Sequence, residues 1–465
     1  MFLLVANILI EGVFYEVFTS LLGGQRVKFS DEYSTIYKSE YDSKKQTLEA
    51  ANAFNEKICE EGFVLLKNNN NALPLYTPES NGTNKTQDKP KISVFGKNSV
   101  NIAYGGSGSG GGTGTGAKSL YDSLKAAGYR TNDKLESFYN SSASGKSRPA
   151  SPEGSNLDDG KSITVPTYET PLASYTQNVK DSYAEYNDAA IIVITRMGGE
   201  GFDLPRTMSG VAGARKEDDH YLQLDRNEAD LIKEVSENPV FQRVILILNV
   251  GTSFELGFLE EAKASVYNQL KGYEISADRI DAALWIGFPG NSGVMALGRI
   301  LNGNVNPSGR TTDTYAMDFK QAPSRENFGD NNVANGDRFY DGTTAQPYYF
   351  VDYEENIYVG YRYYETRGNG NDEWYNENVV YPMGHGLSYS EFEWEIIEDS
   401  SIRDIHINKN GKYTVKVKVT NNGSVAGRDV VQLYGHAPYA EGAFGLQKPY
   451  EVLLDFAKTE IIPAG

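Results

Sequence analysis

Apolar and polar positions fall into blocks along residues 44 to 301, and the blocks repeat as strand, loop and helix. Residues 189 to 197, built around Ile191-Ile192-Val193-Ile194, carry no polar interruption, which predicts a strand buried on both faces. Residues 243–249 and 282–286 have the same character, and Ile92 to Gly96 is a shorter strand. Helical spacing over 44–60 leads into the apolar Gly62 to Asn68, and further helices are predicted over 117–127, 226–236, 254–264 and 292–301. Apolar strands alternating with amphipathic helices predict a mainly parallel, doubly wound α/β sheet. Residues 141–161, rich in Ser, Gly, Pro and Asp, read as a loop, and residues 318–385 break the pattern with Asn, Asp, Gly and Tyr.

From about residue 388 the period changes to two. Lys412 to Val419 alternates cleanly, Asn421-Asn422-Gly423 is a hairpin-type turn, and Asp429 to Tyr434 is a second strand. This predicts a small antiparallel β-sandwich with fewer readable strands than the usual ~7 of an immunoglobulin-like domain, so it is expected to be incomplete at Ile462-Pro463-Ala464-Gly465. The expected organisation is a lead-in over 1–40, an α/β sandwich over 41–317, an irregular connection over 318–387 and a truncated β-sandwich over 388–465.

Composition narrows the chemistry. The 465 residues allow two or three domains, and a net charge of -18 argues against nucleic acid or an anionic membrane surface, both of which need clustered Lys and Arg. The 32 Tyr and 47 Gly suit loop-rich, hydrogen-bonding surfaces that face polar ligands such as sugars, or reflect ordinary compositional bias. Cys59 stands alone, which excludes an internal disulfide, and the four scattered histidines, His220, His385, His406 and His436, give no zinc-type site. No cofactor is expected. The apolar start, Met1 to Ile10, is too short to span a membrane; it reads as the trailing end of a signal anchor, which would place the protein extracellular or on the cell surface, or as an amphipathic helix packed on the body.

Two segments carry candidate chemistry. Glu200 sits among Gly198, Gly199 and Gly201 just after an apolar strand, without a bulky neighbour, so its carboxylate could meet a substrate as a general acid or base; the plainer alternative is a solvated loop residue. Gly105 to Gly114 follows a strand and precedes a helix, but lacks the Lys-Ser/Thr of a phosphate-binding P-loop. Its small residues would let the hydroxyls of Ser107 and Ser109 approach a neutral, hydroxyl-rich ligand, or they form a plain surface loop.

Several separated motifs together resemble glycoside hydrolase family 3. They are Glu61 to Asn68 with Leu73-Pro74-Leu75, Gly105 to Gly110, Met197 to Asp203, Gly287 to Gly290 with Asn304 to Arg310, Tyr358 to Tyr364, Tyr381 to Tyr389, and Thr420 to Gly427. The resemblance implies a retaining, exo-acting β-glycosidase of β-glucosidase type, with β-glucosides or cello-oligosaccharides as substrates. In that family a (β/α)8 barrel supplies the aspartate nucleophile, an α/β sandwich supplies the acid/base glutamate, and a fibronectin-type sandwich comes last. Glu200 falls on the acid/base position, Ser107 and Ser109 on a loop looking into the sugar site, and Arg196 and Phe202 flank the glutamate as substrate-binding residues. The pattern departs from the family in that no barrel precedes the sandwich, an order similar to the circularly permuted branch, in which the barrel follows. A barrel-bearing segment carrying the nucleophile is therefore the expected partner. The alternative is a non-catalytic carbohydrate-binding or scaffold protein.

Overall fold

The computed structural model describes residues 40–76, 89–106, 110–111, 116–149, 166–198, 204, 207–208, 211, 213–325, 353, 355–397, 412–436 and 448–465. The chain divides after Ala51, and the unit Asn52–Gly465 holds every strand described below. Its central sheet is made of β1 (Val64–Asn68), β2 (Lys91–Phe95), β3 (Arg130–Thr131), β4 (Ala189–Arg196), β5 (Val244–Val250) and β6 (Ala282–Trp285). The spatial order is β1-β6-β5-β4-β2-β3. All neighbours run parallel except β1, which closes the edge antiparallel to β6.

The uninterrupted apolar runs follow from coverage on both faces. On β4, Ala190, Ile192 and Ile194 join Leu246 and Leu248 of β5 in one core, against helices Asp133–Asn140 and Arg226–Glu237. Their neighbours Ile191 and Val193 join Ile245 and Ile247 in a second core, against helices Leu120–Ala126 and Met295–Leu301. Each strand thus feeds both layers, as the alternation of side chains along a strand requires. Ile191 to Ile194 are all fully buried, and burial of such a side chain contributes roughly 1.5–3 kcal/mol, so this strand anchors the fold.

Two helices differ from the sequence-based expectation. The helix predicted over 254–264 is a 3-10 turn, Gly257–Leu259, followed by a helix Glu261–Lys271. Phe254, Leu256, Phe258 and Leu259 are each fully buried, so the apolar spacing recorded an irregular segment enclosed by protein rather than one helical face. The helix ends at Gly272, whose φ of 70° is the left-handed capping conformation. The stretch predicted as one helix over 292–301 is divided at Val294 into Gly290–Gly293 and Met295–Leu301. By contrast Leu120–Ala126 begins at Ser119, whose hydroxyl accepts from the Asp122 amide in a capping box.

The C-terminal part forms small antiparallel sheets. A short pair, β7 (Tyr315–Ala316) with β8 (Val379–Tyr381), precedes them. Then β9 (Phe392–Ile396) pairs with β10 (Val417–Asn421), and β11 (Val430–Gly435) pairs with β12 (Val452–Lys458). The hairpin expected across Asn421-Asn422-Gly423 does not form, because the strands on its two sides take different partners. Asn421 is instead buried, its Nδ2 donating to the carbonyls of Val425 (2.8 Å) and Ile462 (3.1 Å), so the segment is a corner between sheets. The strand expected from Lys412 starts only at Val417. Contacts that fasten this part to the α/β part include Arg310 to Asp429 at 2.5 Å, Lys458 to Glu61 at 2.6 Å, and Asn306 Oδ1 accepting from Ser388 Oγ at 2.8 Å. Among the described residues no helix is long and apolar enough to cross a membrane.

Candidate active site

Strand order fixes where a ligand site belongs. From β2 the chain crosses to β3 on one side, whereas from β4 it crosses to β5 on the other, and β2 and β4 are neighbours. Their boundary is a topological switch point, and ligands of open α/β sheets bind in the crevice outside the carboxyl ends of the strands at such a point. The segment after β2 is the glycine-rich one, and the segment after β4 leads to Glu200. The strands close tightly there: Gly96, with φ 100°, lies so near β4 that a Cβ would stand 2.5 Å from the Val193 carbonyl oxygen.

Described side chains brace both segments. Asn249, fully buried at the end of β5, accepts from the Ala103 amide (2.6 Å) and donates to the carbonyls of Ala103 (2.9 Å) and Gly287 (2.7 Å). One amide therefore ties the segment after β2 to the turn after β6. Arg148 donates to the Asn101 carbonyl (2.9 Å) and to Met197 Sδ (3.1 Å), joining the segments that follow β2 and β4. Met197, Met208, Val211 and Tyr221 form a separate small core under the second segment, joined by Leu204, which packs on Gly198.

Of the residues predicted from sequence to form the site, Glu200, Phe202, Ser107 and Ser109 lie outside the described residues, as does Asp203. Arg196 is described, and it is in the core, 1% exposed. Its guanidinium forms a two-point pair with Glu228 (2.5 and 2.7 Å) and donates to the carbonyls of Tyr221 (2.9 Å), Gln223 (2.5 Å) and Thr195 (3.0 Å). All of its N–H groups are thereby used, so it has none to offer a sugar. Phe254 and Tyr221 flank the guanidinium at 5.0 and 5.4 Å.

The electrostatics behind the crevice are dominated by buried carboxyls. Asp225 caps helix Arg226–Glu237 in a capping box with Glu228 and accepts from the Thr167 hydroxyl. Burial and the neighbouring Glu228 carboxylate push the Asp225 carboxyl up from its ordinary range. Glu169, accepting from the amides of Lys97 and Thr170, is pushed up to about 8, chiefly by burial. His220 is held neutral: burial, with Arg325 and Lys271 nearby, pushes it down to about 3, and its Nδ1 accepts from the Leu222 amide at 3.0 Å.

Two cavities open at this end of the sheet. One, of about 490 Å³, runs between Leu204, His220, Phe319 and Tyr364; the other, of about 550 Å³, between Trp285, Arg310, Gln432 and Phe456. Both are lined by Thr252, Ser253 and Asp313, which sequence reasoning missed. It also missed Asn249 and Arg148. A lone amide ending the apolar strand at Asn249 was a usable signal, since a buried polar group must have partners; nothing marked Arg148 within its polar stretch.

A doubly wound sheet with a braced crevice at its switch point defines an α/β ligand-binding or catalytic domain, and comparison with known proteins makes the class specific. Residues 63–389 match the glycosyl hydrolase family 3 C-terminal domain. Beta-glucosidase A of Butyrivibrio fibrisolvens is 30% identical over 433 residues, covering 88% of this chain and 44% of that protein. Among solved structures, a beta-glucosidase from Paenibacillus barengoltzii superposes with a TM-score of 0.61 at 26% identity, over 90% of this chain and 37% of its own. Beta-glucosidase 3B from Thermotoga neapolitana, solved in complex with glucose, gives 0.60 at 27% identity, over 90% and 48%. The chain belongs to glycosyl hydrolase family 3. It spans less than half the length of each of these relatives.

Proposed function

We propose that the chain is the acid/base half of a retaining, exo-acting β-glucosidase that releases terminal β-D-glucosyl residues from β-glucosides or cello-oligosaccharides. The observation that carries this reading is the switch point: the strands flanking it, β2 and β4, run into the Ser107/Ser109 loop and the Glu200 segment. A retaining glycosidase needs two carboxyls about 5–5.5 Å apart, one attacking the anomeric carbon and one protonating the departing oxygen. Glu200 takes the second role. The attacking aspartate comes from a barrel-bearing segment beyond these 465 residues, in keeping with the greater length of the relatives. Ser107, Ser109 and Phe202 line the sugar site, and the apolar start of the chain belongs to a protein working outside the cytoplasm.

The test is Glu200→Ala in the assembled enzyme. Protonation matters most for a poor leaving group, so cellobiose hydrolysis should fall by about 10²–10⁴-fold while aryl glucosides with acidic leaving groups are largely spared and azide restores turnover. Equal losses on both substrates, without azide rescue, would refute the assignment.

A further inference from the structure

The Arg196–Glu228 pair has a geometry that a salt bridge serving only the core would not need. Arg196 ends β4, the strand from which the Glu200 segment departs. Two of the carbonyls it binds, those of Tyr221 and Gln223, lie where the same segment returns to the body. Glu228 accepts from the guanidinium at both oxygens and from the Asp225 amide at 2.8 Å, and Asp225 caps the helix into which the segment feeds. One side chain therefore joins the departure and the return of residues 197–223. Met197, Met208, Val211 and Tyr221, all from this stretch, pack together in one small core.

We infer that Arg196, held by Glu228, is a positioning residue that clasps the two ends of the segment carrying Glu200 and so sets where that carboxyl stands, rather than a group that touches the sugar. The inference rests on the reading of Glu200 as the acid/base. The planar fork of a guanidinium is suited to the task, because it can bind a carboxylate at two points and still reach carbonyls from two other directions; an ammonium cannot. Fixing a catalytic group matters because a displacement of ~1 Å can cost on the order of 100-fold in rate.

Two variants test this. Glu228→Gln removes the charge with little change of shape, and Arg196→Lys keeps the charge but loses the fork. In the 465-residue chain alone, hydrogen exchange should rise roughly tenfold or more in peptides covering 204–223 while β4 and β5 stay protected. In the assembled enzyme, kcat on cellobiose should fall by about 10- to 100-fold, kcat on 2,4-dinitrophenyl β-glucoside should hold within about threefold, and KM for both should be unchanged. A rise in KM on both substrates with kcat preserved would make Arg196 a sugar contact and overturn the inference. Unchanged exchange, or equal kcat losses on both substrates with a lowered melting temperature, would overturn it as well. Glu200→Ala run beside them separates the two ideas: if that variant shows no leaving-group dependence the acid/base reading fails, while the exchange data still decide whether the clasp exists.

Discussion

Replacing Asn249 by Leu should loosen the glycine-rich side of the crevice without dismantling the sheet. The substitution keeps the volume roughly constant but removes every side-chain hydrogen bond that Asn249 makes. The Ala103 amide and the Thr195 hydroxyl (3.3 Å) lose their acceptor, and the carbonyls of Ala103 and Gly287 lose their donor. The three backbone groups sit in buried residues, and a buried backbone group left without a partner costs about 1–3 kcal/mol. Their sum is on the order of 5 kcal/mol, and extra apolar burial together with water reaching the relaxed segment should bring the net loss to about 2–4 kcal/mol. Urea denaturation of the 465-residue chain measures the total, and hydrogen exchange at Ala103 and Tyr104 shows where it falls. Asn249→Asp is the sharper companion, since it sets a carboxylate oxygen against the two carbonyls that Nδ2 serves; its defect should ease as the pH is lowered and the carboxyl protonates. An Asn249→Leu protein with an unchanged denaturation midpoint and unchanged exchange at Ala103 would show that the segment is held by something else.

Other expectations follow from single positions. Gly96→Ala should cost about 2–5 kcal/mol, because the residue combines a positive φ with a Cβ placed 2.5 Å from the Val193 carbonyl oxygen; a melting temperature equal to that of the parent would refute the close approach of β2 and β4. Glu169, raised from 4.5 to about 8 by burial, favours the fold in its protonated form, so its contribution is complete below pH 4.5 and is lost as the pH rises through about 8. Denaturation at pH 5, 7 and 9 (about two units apart) should show stability falling on that account by on the order of 4 kcal/mol, with the slope flattened in Glu169→Gln; parallel slopes would rule the carboxyl out as the source.

The central strands were legible because their physics is local. Ile191 to Ile194 can be uninterruptedly apolar only if both faces are covered, and two covered faces imply helices on each side. The helix at Glu261–Lys271 was misplaced because Phe254 to Leu259 are buried by neighbours distant in sequence, and burial on all sides mimics the spacing of one apolar face. The hairpin at Asn421-Asn422-Gly423 was misread for a related reason. Turn chemistry says that the chain reverses, but pairing is settled by strands such as β9 and β12, whose register no local motif encodes. At the crevice, sequence gave the order of motifs and the residue types. It could not show that Arg196 spends its donors inward, since that depends on carbonyls 25 and 27 residues further along the chain.

Asp429 bears on how this protein would meet a second body. Its carboxylate takes Arg310 from the α/β part at 2.5 Å and the indole N–H of Trp394 from β9 at 2.6 Å, while its own amide donates to Thr459 Oγ1 at 3.0 Å just beyond β12. Three separate pieces of chain are therefore indexed to one residue. Association costs a molecule its translational and rotational freedom once per rigid body, with a further toll for each loose part that must be ordered on contact. With the small sheets already keyed to the larger one, the ordering entropy is spent during folding, and a docking surface spread across both would engage as a single template.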